Sequence, residues 1–392
     1  MHAGIDFGTS SCSIGVWKDT GPVLLSLDGE SDRLTSALYT SRTTLKIEKL
    51  DHEELTTRIA NEKRRQSIEA QKAQDQGYTH KTPSDAELEN IVRGTMRREL
   101  EISAKEKFQN QTISEALYVD PEVVFGEAAI KHHIRDPESG YFIKSPKSFL
   151  GENLKTSYVQ LFSEVVTRIL AHIKASAENN TKAGIQDIVL GRPVNFHGTM
   201  GERGNRQALG ILERSAIAAG FQNIEFVMEP IAAALDYERY LSTDRTVLVL
   251  DAGGGTTDCS MVKLGPTYTQ TNHRDNSVLG YAGTRIGGID IDIQLAMQKI
   301  MPYFGKNSLL YNDLPIPNTL FWNAIAINDV NAIEHFSSNR TLHEIDVYLS
   351  QTEKKKELGR LKKLHLDKLM VRLNRSAELA KIHLSEKDNN IS

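Results

Sequence analysis

The chain has only two cysteines in 392 residues, Cys12 and Cys259. Such a pair permits one disulfide at most and has no metal-ligand spacing, which excludes a disulfide framework and fits a reducing compartment. Both are expected to pack as small apolar side chains. Long apolar runs are missing as well. No stretch approaches the roughly 18 residues of a membrane span, and the opening MHAGIDFGTSS lacks the basic and apolar regions of a secretory signal. A cytoplasmic location is therefore expected. Neither sign of charge is in large excess, with 47 Lys and Arg against 51 Asp and Glu and a formal net charge of -4. A chain without polycationic character has no general footprint for nucleic acid, so neither nucleic acid nor membrane is an expected partner.

What is present is an ordinary globular composition, 39% hydrophobic, in a chain long enough for two domains. Short apolar runs alternate with helical patterns. AGIDF, CSIGVW and PVLLSL read as an early antiparallel meander. From Thr44 to Gln111 the chain is densely charged and rich in helix formers, which predicts an exposed helical hairpin with Gly77 and Pro83 near its turn. Leu154 to Lys174 carries one apolar stripe at helical spacing, including Leu161, Val165, Ile169 and Ile173. DIVLGR, IEFVM and TVLVLD follow as strands. Between them a helix over about Arg203 to Ala219 stops at Gly220, and another starts at MEPIAAALDY with Pro230 early in it. IGGIDIDIQLAMQKIM enters a helix from a glycine pair, and Thr352 to Ser385 predicts one long charged helix. His132 and His133 have no partner at metal spacing and are expected in a surface loop. The aromatic and proline-rich stretch after Met301 is expected to form a folded core loop, and Arg192 in GRPVNF is a candidate phosphate neighbour.

The most informative stretch is VLVLDAGGGTTDCS. A strand ending in Asp251 and followed by Gly253, Gly254 and Gly255 exposes bare backbone N–H groups at its turn. Phosphate oxygens fit such a turn. Asp251 would repel them unless a cation lay between, which implies Mg²⁺ held through its waters. Thr256 and Thr257 add hydroxyls, and Asp258 can brace the turn or orient water. A glycine-rich turn with no ligand explains the stretch alone equally simply. However, AGIDFGTSS repeats the order, with Asp6 followed by Gly8, Thr9 and Ser10. Two such turns facing one cleft would clamp a polyphosphate and its metal.

These two motifs, with FIKSPKSFLG, the RQALGILERSAIAAGFQNIEFVMEPIAAALDY segment and IGGIDID in that order, resemble the nucleotide-binding domain of the Hsp70 family. The family lies in the actin, Hsp70 and sugar-kinase superfamily, and the likeness is nearest to short bacterial YegD-type proteins that lack a substrate-binding domain. The resemblance implies an α/β, actin-like ATPase fold of two lobes, each built on a ribonuclease H-like mixed sheet with flanking helices. Lobe I would span 1–243, including the charged insertion at about 44–115, and lobe II 244–392. It implies ATP or ADP with Mg²⁺ as ligands, slow ATP hydrolysis, and a chaperone-like role with protein partners or clients. Asp6 and Asp251 would hold the Mg²⁺ through water, and Gly8, Thr9 and Ser10 would form the first phosphate loop, with Thr9 near the γ-phosphate. Gly253, Gly254, Gly255 and Thr256 would form the second. Lys147, with Lys144 as competitor, would position the γ-phosphate and attacking water; Glu229 would orient water, and Asp258 would assist its activation. Gly287 and Gly288 would approach the nucleotide from the second lobe.

The likeness has limits. The family's adenosine helix carries Glu-x-x-Lys-Arg-x-x-Ser; here Glu378, Lys381 and Ser385 match, but Ile382 takes the arginine position and cannot stack as a guanidinium does. The family continues beyond this point with further second-lobe strands and a glycine-rich adenosine loop, whereas the sequence ends at Ser392. The second lobe is therefore expected to expose apolar surface and an unpaired sheet edge. A sugar-kinase-like phosphotransferase and a non-catalytic, nucleotide-dependent interaction module stay open as alternatives.

Overall fold

The structure of the chain, a computed structural model, describes residues 1–18, 21–42, 50–77, 82–110, 113–118, 123–269 and 277–386. The start of the expected insertion, 44–49, lies outside them. The chain divides into two compact units, one formed by Met1–Thr40 with Glu122–Ser392 and the other by Ser41–Pro121. Both are accounted for by local pattern.

In the larger unit, β1 (His2–Phe7), β2 (Ser11–Lys18) and β3 (Gly21–Leu24) form the antiparallel meander, and β4 (Leu34–Thr35) pairs with β2. Burial along β1 alternates as a strand must, with Ala3, Ile5 and Phe7 buried and Gly4 and Asp6 on the opposite face. β5 (Ala37–Ser41), β6 (Val123–Phe125) and β7 (Gly140–Lys144) make a separate small sheet in the order β6-β5-β7. β8 (Asp187–Arg192) joins β1 in parallel and β9 (Asn223–Met228) joins β8 in parallel, so the main sheet runs β3-β2-β1-β8-β9. Parallel partners need crossovers, and helices supply them. The helix Thr156–Thr181 leads into β8, with Leu161, Val165, Ile169 and Ile173 buried as the spacing predicted. The helix Glu202–Ala218 leads into β9 and ends at Gly220, whose φ of 93° is the left-handed conformation expected there.

A third sheet, antiparallel, contains β10 (Arg245–Ala252), β11 (Thr257–Leu264) and β12 (Val278–Thr284) in that order. The helix Glu229–Glu238 covers one face, where Ala234, Val262 and Leu264 are buried with Val247 and Val249 against them. The other face is open. Leu248 and Leu250 are 65% and 71% exposed, Met261 is 42% exposed, and among the described residues β10 has a strand partner on one side only.

From Gly288 the chain is helical and closes around Met301, Phe321, Phe336, Ile345 and Leu361. The stretch after Met301 contributes Ile316, Leu320 and Phe321 to this core. The expected long terminal helix is two helices, Lys355–Leu366 and Met370–Glu386. Lys368 takes φ 52° between them, and the Leu369 N–H bonds back to the Leu364 carbonyl, a closure usually made with glycine. His132 and His133 lie on the helix Gly126–Arg135 rather than in a loop, and the His133 ring stacks on Phe142. Burial pushes the His133 imidazole down to about 4, with Lys368 adding to the effect.

The smaller unit is the predicted hairpin, built from the helices His52–Asp75 and Asp85–Asn110 around Leu55, Leu88, Val92 and Met96. Exposed ion pairs Arg58–Glu99 and Lys63–Asp85 join its helices. No helix among the described residues is long and apolar enough to cross a membrane.

Candidate functional site

The two sequence motifs occupy the tips of two strand pairs. Gly8, Thr9 and Ser10 connect β1 to β2, where Phe7 pairs with Cys12. Ser36 fixes this turn from behind: its hydroxyl donates to the Gly8 carbonyl at 2.7 Å, and its N–H to the Ser10 carbonyl at 2.9 Å. Cys12 sits beneath, fully buried, with Sγ 3.3 Å from Ser36 Oγ; burial pushes its thiol up to about 12 despite that contact. It is an inert core thiol.

Gly253 to Thr256 connect β10 to β11, closed by the Gly253 N–H on the Thr256 carbonyl at 2.9 Å. Gly287 and Gly288 hold this second turn. The Gly288 N–H donates to the Gly253 carbonyl and the Ile289 N–H to the Gly254 carbonyl, at 3.0 and 2.8 Å. A Cβ on Gly287 would stand 2.5 Å from the Gly254 carbonyl group, so only glycine permits this approach. The two turns press together: a Cβ on Gly254 would collide with Ser10 Oγ, and one on Gly255 would lie 3.0 Å from Thr9 Oγ1.

Between the turns lies a cavity of about 500 Å³. Asp6 and Asp251 stand at the strand ends below the two turns, and Lys147 and Glu229 complete the floor. Lys147 belongs to the 3-10 turn Pro146–Phe149, entered through Ser145 at φ 56°, and all four residues of that turn are buried. Its Nζ donates to Glu229 Oε1 at 2.5 Å. Glu229 is the first residue of the helix Glu229–Glu238, ahead of Pro230, and packs its side chain against Gly191, where any Cβ would crowd it.

The charges are mutually dependent. Burial opposes the Lys147 ammonium, but Glu229 and Asp6 outweigh it and raise its proton affinity above the ordinary lysine value. Loss of hydration raises the Asp6 and Asp251 carboxyls, Glu229 adds to the rise, and Lys147 partly offsets it. Asp258 lies behind the second turn, 1% exposed, with Oδ2 accepting from the Thr256 hydroxyl at 3.0 Å. Burial pushes it up to about 6. Asp6, Asp251 and Glu229 around one lysine are a donor set suited to a hard cation, and the glycine-lined turns leave room for anionic oxygens. Among the described residues no three carboxylate, histidine or cysteine side chains converge closely enough to ligate a metal directly. A cation here would be held largely through water, as Mg²⁺ is.

The remaining candidates do not line the cavity. Thr257 is in β11 and donates to the Ile286 carbonyl. Lys144, the competitor of Lys147, ends β7 and donates to Glu378 at 2.6 Å. Glu378 also accepts from Arg375, and these two cations outweigh burial to hold its carboxyl below the ordinary range. Lys381 donates to the Gly288 carbonyl at 3.0 Å and to Asp292 at 2.9 Å, which ties the terminal helix to the glycine pair. Ser385 donates to the Lys381 carbonyl, one turn back in its own helix, and Ile382 is 41% exposed. Arg192 bonds the carbonyls of Pro193 and Val194, away from the cavity.

Residues 161–309 match the model of the Hsp70 protein family. Over that span, less than half of the chain, the sequence is similar to the Hsp70 family. The span includes Glu229, the whole second turn and the Gly287–Gly288 pair. Asp6, the first turn, Lys147 and the Glu378 to Ser385 helix lie outside the Hsp70 match, so the structure alone brings Asp6, the first turn and Lys147 to the same cavity.

A chain of polar contacts escaped the sequence reading. Thr35 donates to Glu127, Arg375 bonds both Glu127 oxygens at 3.0 and 2.9 Å, and Arg375 and Lys144 share Glu378. Arg375 and Glu127 are separated by 248 positions, and no local signal links them.

Proposed function

We propose that the chain binds Mg²⁺·ATP between two lobes, 1–243 and 244–392, and hydrolyses it slowly, as a chaperone relative of the YegD type. The observation that carries this reading is the pair of glycine-tipped turns meeting above Asp6, Asp251 and a buried Lys147–Glu229 pair. Backbone N–H groups of Gly8–Ser10 and Gly253–Gly255, with the Thr9 and Thr256 hydroxyls, bind phosphate oxygens. Asp6 and Asp251 would hold a hydrated cation through its waters, and that cation would supply neutralisation of the phosphate charge. Lys147 places a positive charge where the γ-phosphate sits, and Glu229 holds that lysine and orients a water. Asp258 positions the Thr256 hydroxyl and assists in taking up the proton of the attacking water. Glu378, Lys381 and Ser385 form the adenosine side, reached past Gly287 and Gly288.

A second reading, a nucleotide-dependent interaction module without turnover, is favoured by two observations. Glu378 is already shared between Lys144 and Arg375, and Ile382 provides no guanidinium to stack on a base. Calorimetric titration of ATP and ADP with Mg²⁺ into the full chain and its Asp251→Ala variant tests both. Micromolar or tighter binding that the substitution abolishes is expected, followed by slow phosphate release. Binding without release would support the module. A folded chain that binds neither nucleotide would overturn both.

A further inference from the structure

The two terminal helices bend around the Lys368 turn, and beside that bend they leave an apolar groove of about 350 Å³. Its floor is formed by Ile300, Phe304 and Leu369, which are only partly buried, and by the core residues Leu364 and Leu373. The rim has the opposite character. Arg360, Lys363 and Arg372 all line it and all are exposed. Arg360 donates one N–H to the Tyr303 carbonyl; among the described residues Lys363 has only the distant and exposed Asp367 at 3.9 Å, and the Arg372 guanidinium has no side-chain acceptor. Ser376 closes one end and bonds its own helix at the Arg372 carbonyl.

An apolar floor between cations selects its occupant by charge and by shape. Acidic groups gain at the rim, where three cations retain donors, while bulky apolar groups gain on the floor. A membrane surface is matched by apolar side chains that protrude, whereas here the apolar atoms lie at the bottom of a concavity. A concavity of this size takes one or two large side chains, the geometry of an anchor residue in a protein interface. We propose that this groove docks a peptide segment of a partner protein that presents one or two bulky apolar residues flanked by aspartate or glutamate. The groove shares no lining residue with the cavity between the glycine turns, so docking is a separate property from nucleotide binding.

The test is selection of phage-displayed random peptides on the full chain, with counter-selection on a Lys363→Glu/Arg372→Glu variant. Peptides with a large apolar residue between carboxylates should be enriched on the wild type only. A fluorescent form of the best one should bind at least tenfold more weakly to the double variant, and more weakly as salt is raised. Ser376→Trp fills the groove with the rim charges intact and should abolish binding too; circular dichroism and an unchanged melting temperature establish that both variants are folded. The proposal fails if no peptide depends on Lys363 and Arg372, if basic peptides are enriched, if Ser376→Trp binds as the wild type does, or if only anionic vesicles discriminate the charge variant.

Discussion

Lys147 is held charged by Glu229 and Asp6 against the effect of its own burial. Removing it should therefore do more than delete one contact. Lys147→Ala leaves Asp6, Asp251 and Glu229 facing one another, and it removes the cation that the proposed mechanism sets beside the γ-phosphate. Turnover should fall about 10²–10³-fold, measured as single-turnover phosphate release, while the fold persists by circular dichroism. Asp258 offers a different test. Its folded-state carboxyl, at about 6, stands above the ordinary 3.8. The folded chain thus keeps a proton that the unfolded chain has released, so this group's contribution is greatest below about pH 4 and is lost as pH rises to about 6. Asp258→Asn should accordingly be more stable than wild type at pH 8, with little difference at pH 4, in urea denaturation without nucleotide. Under the proposed mechanism the same variant should also hydrolyse ATP more slowly. The carboxylates and glycines of these turns were legible because their chemistry is local. What the sequence could not reveal was the Lys147–Glu229 pairing or the contacts of Lys144 with Glu378, because those partners are 82 and 234 positions apart.

Individual strands and helices follow their local patterns closely. β1 alternates, the helix Thr156–Thr181 keeps its stripe inside, and Gly220 ends its helix in the left-handed conformation. The exception lies between Leu366 and Met370. Neither glycine nor proline marks that break, and the charged, helix-forming residues on both sides favour continuing. Packing of Leu364 and Leu373 into one core bends the chain, and Lys368 takes the strained position. Lys368→Gly should relieve this strain and raise stability by about 1 kcal/mol, read from thermal unfolding. Its exposed pair with Glu138 offsets little of that gain. The same reasoning explains the histidines. His132 and His133 offered no apolar period strong enough to predict their helix, which is held through Ala129 and Ile130 instead.

At the scale of the molecule, the sheet containing the second glycine turn is covered on one face only among the described residues. Leu248, Leu250 and Met261 are exposed, and among the described residues β10 pairs on one side only. Such a surface favours association through strand pairing and apolar contact. Leu248→Lys/Leu250→Lys should leave the melting temperature nearly unchanged, since both side chains are already exposed, and should reduce self-association in sedimentation velocity. Equal association of variant and wild type would show that another surface is responsible. The alternating α/β order was legible at this scale because each element carries its own period. The arrangement of the sheets was not, because β1 meets β8 across most of the first half of the chain.

The smaller unit enters and leaves the chain at one place. β5 runs up to Ser41 and β6 begins at Val123, and Thr40 is paired with Val123 in the antiparallel ladder between them. Two residues already side by side can be joined by almost any length of polypeptide at little cost in loop closure. The position therefore behaves as an open socket in the scaffold: evolution or an engineer can lengthen, exchange or excise what is plugged in there, and a two-residue hairpin turn would suffice to reseal it without shifting the register of a single strand.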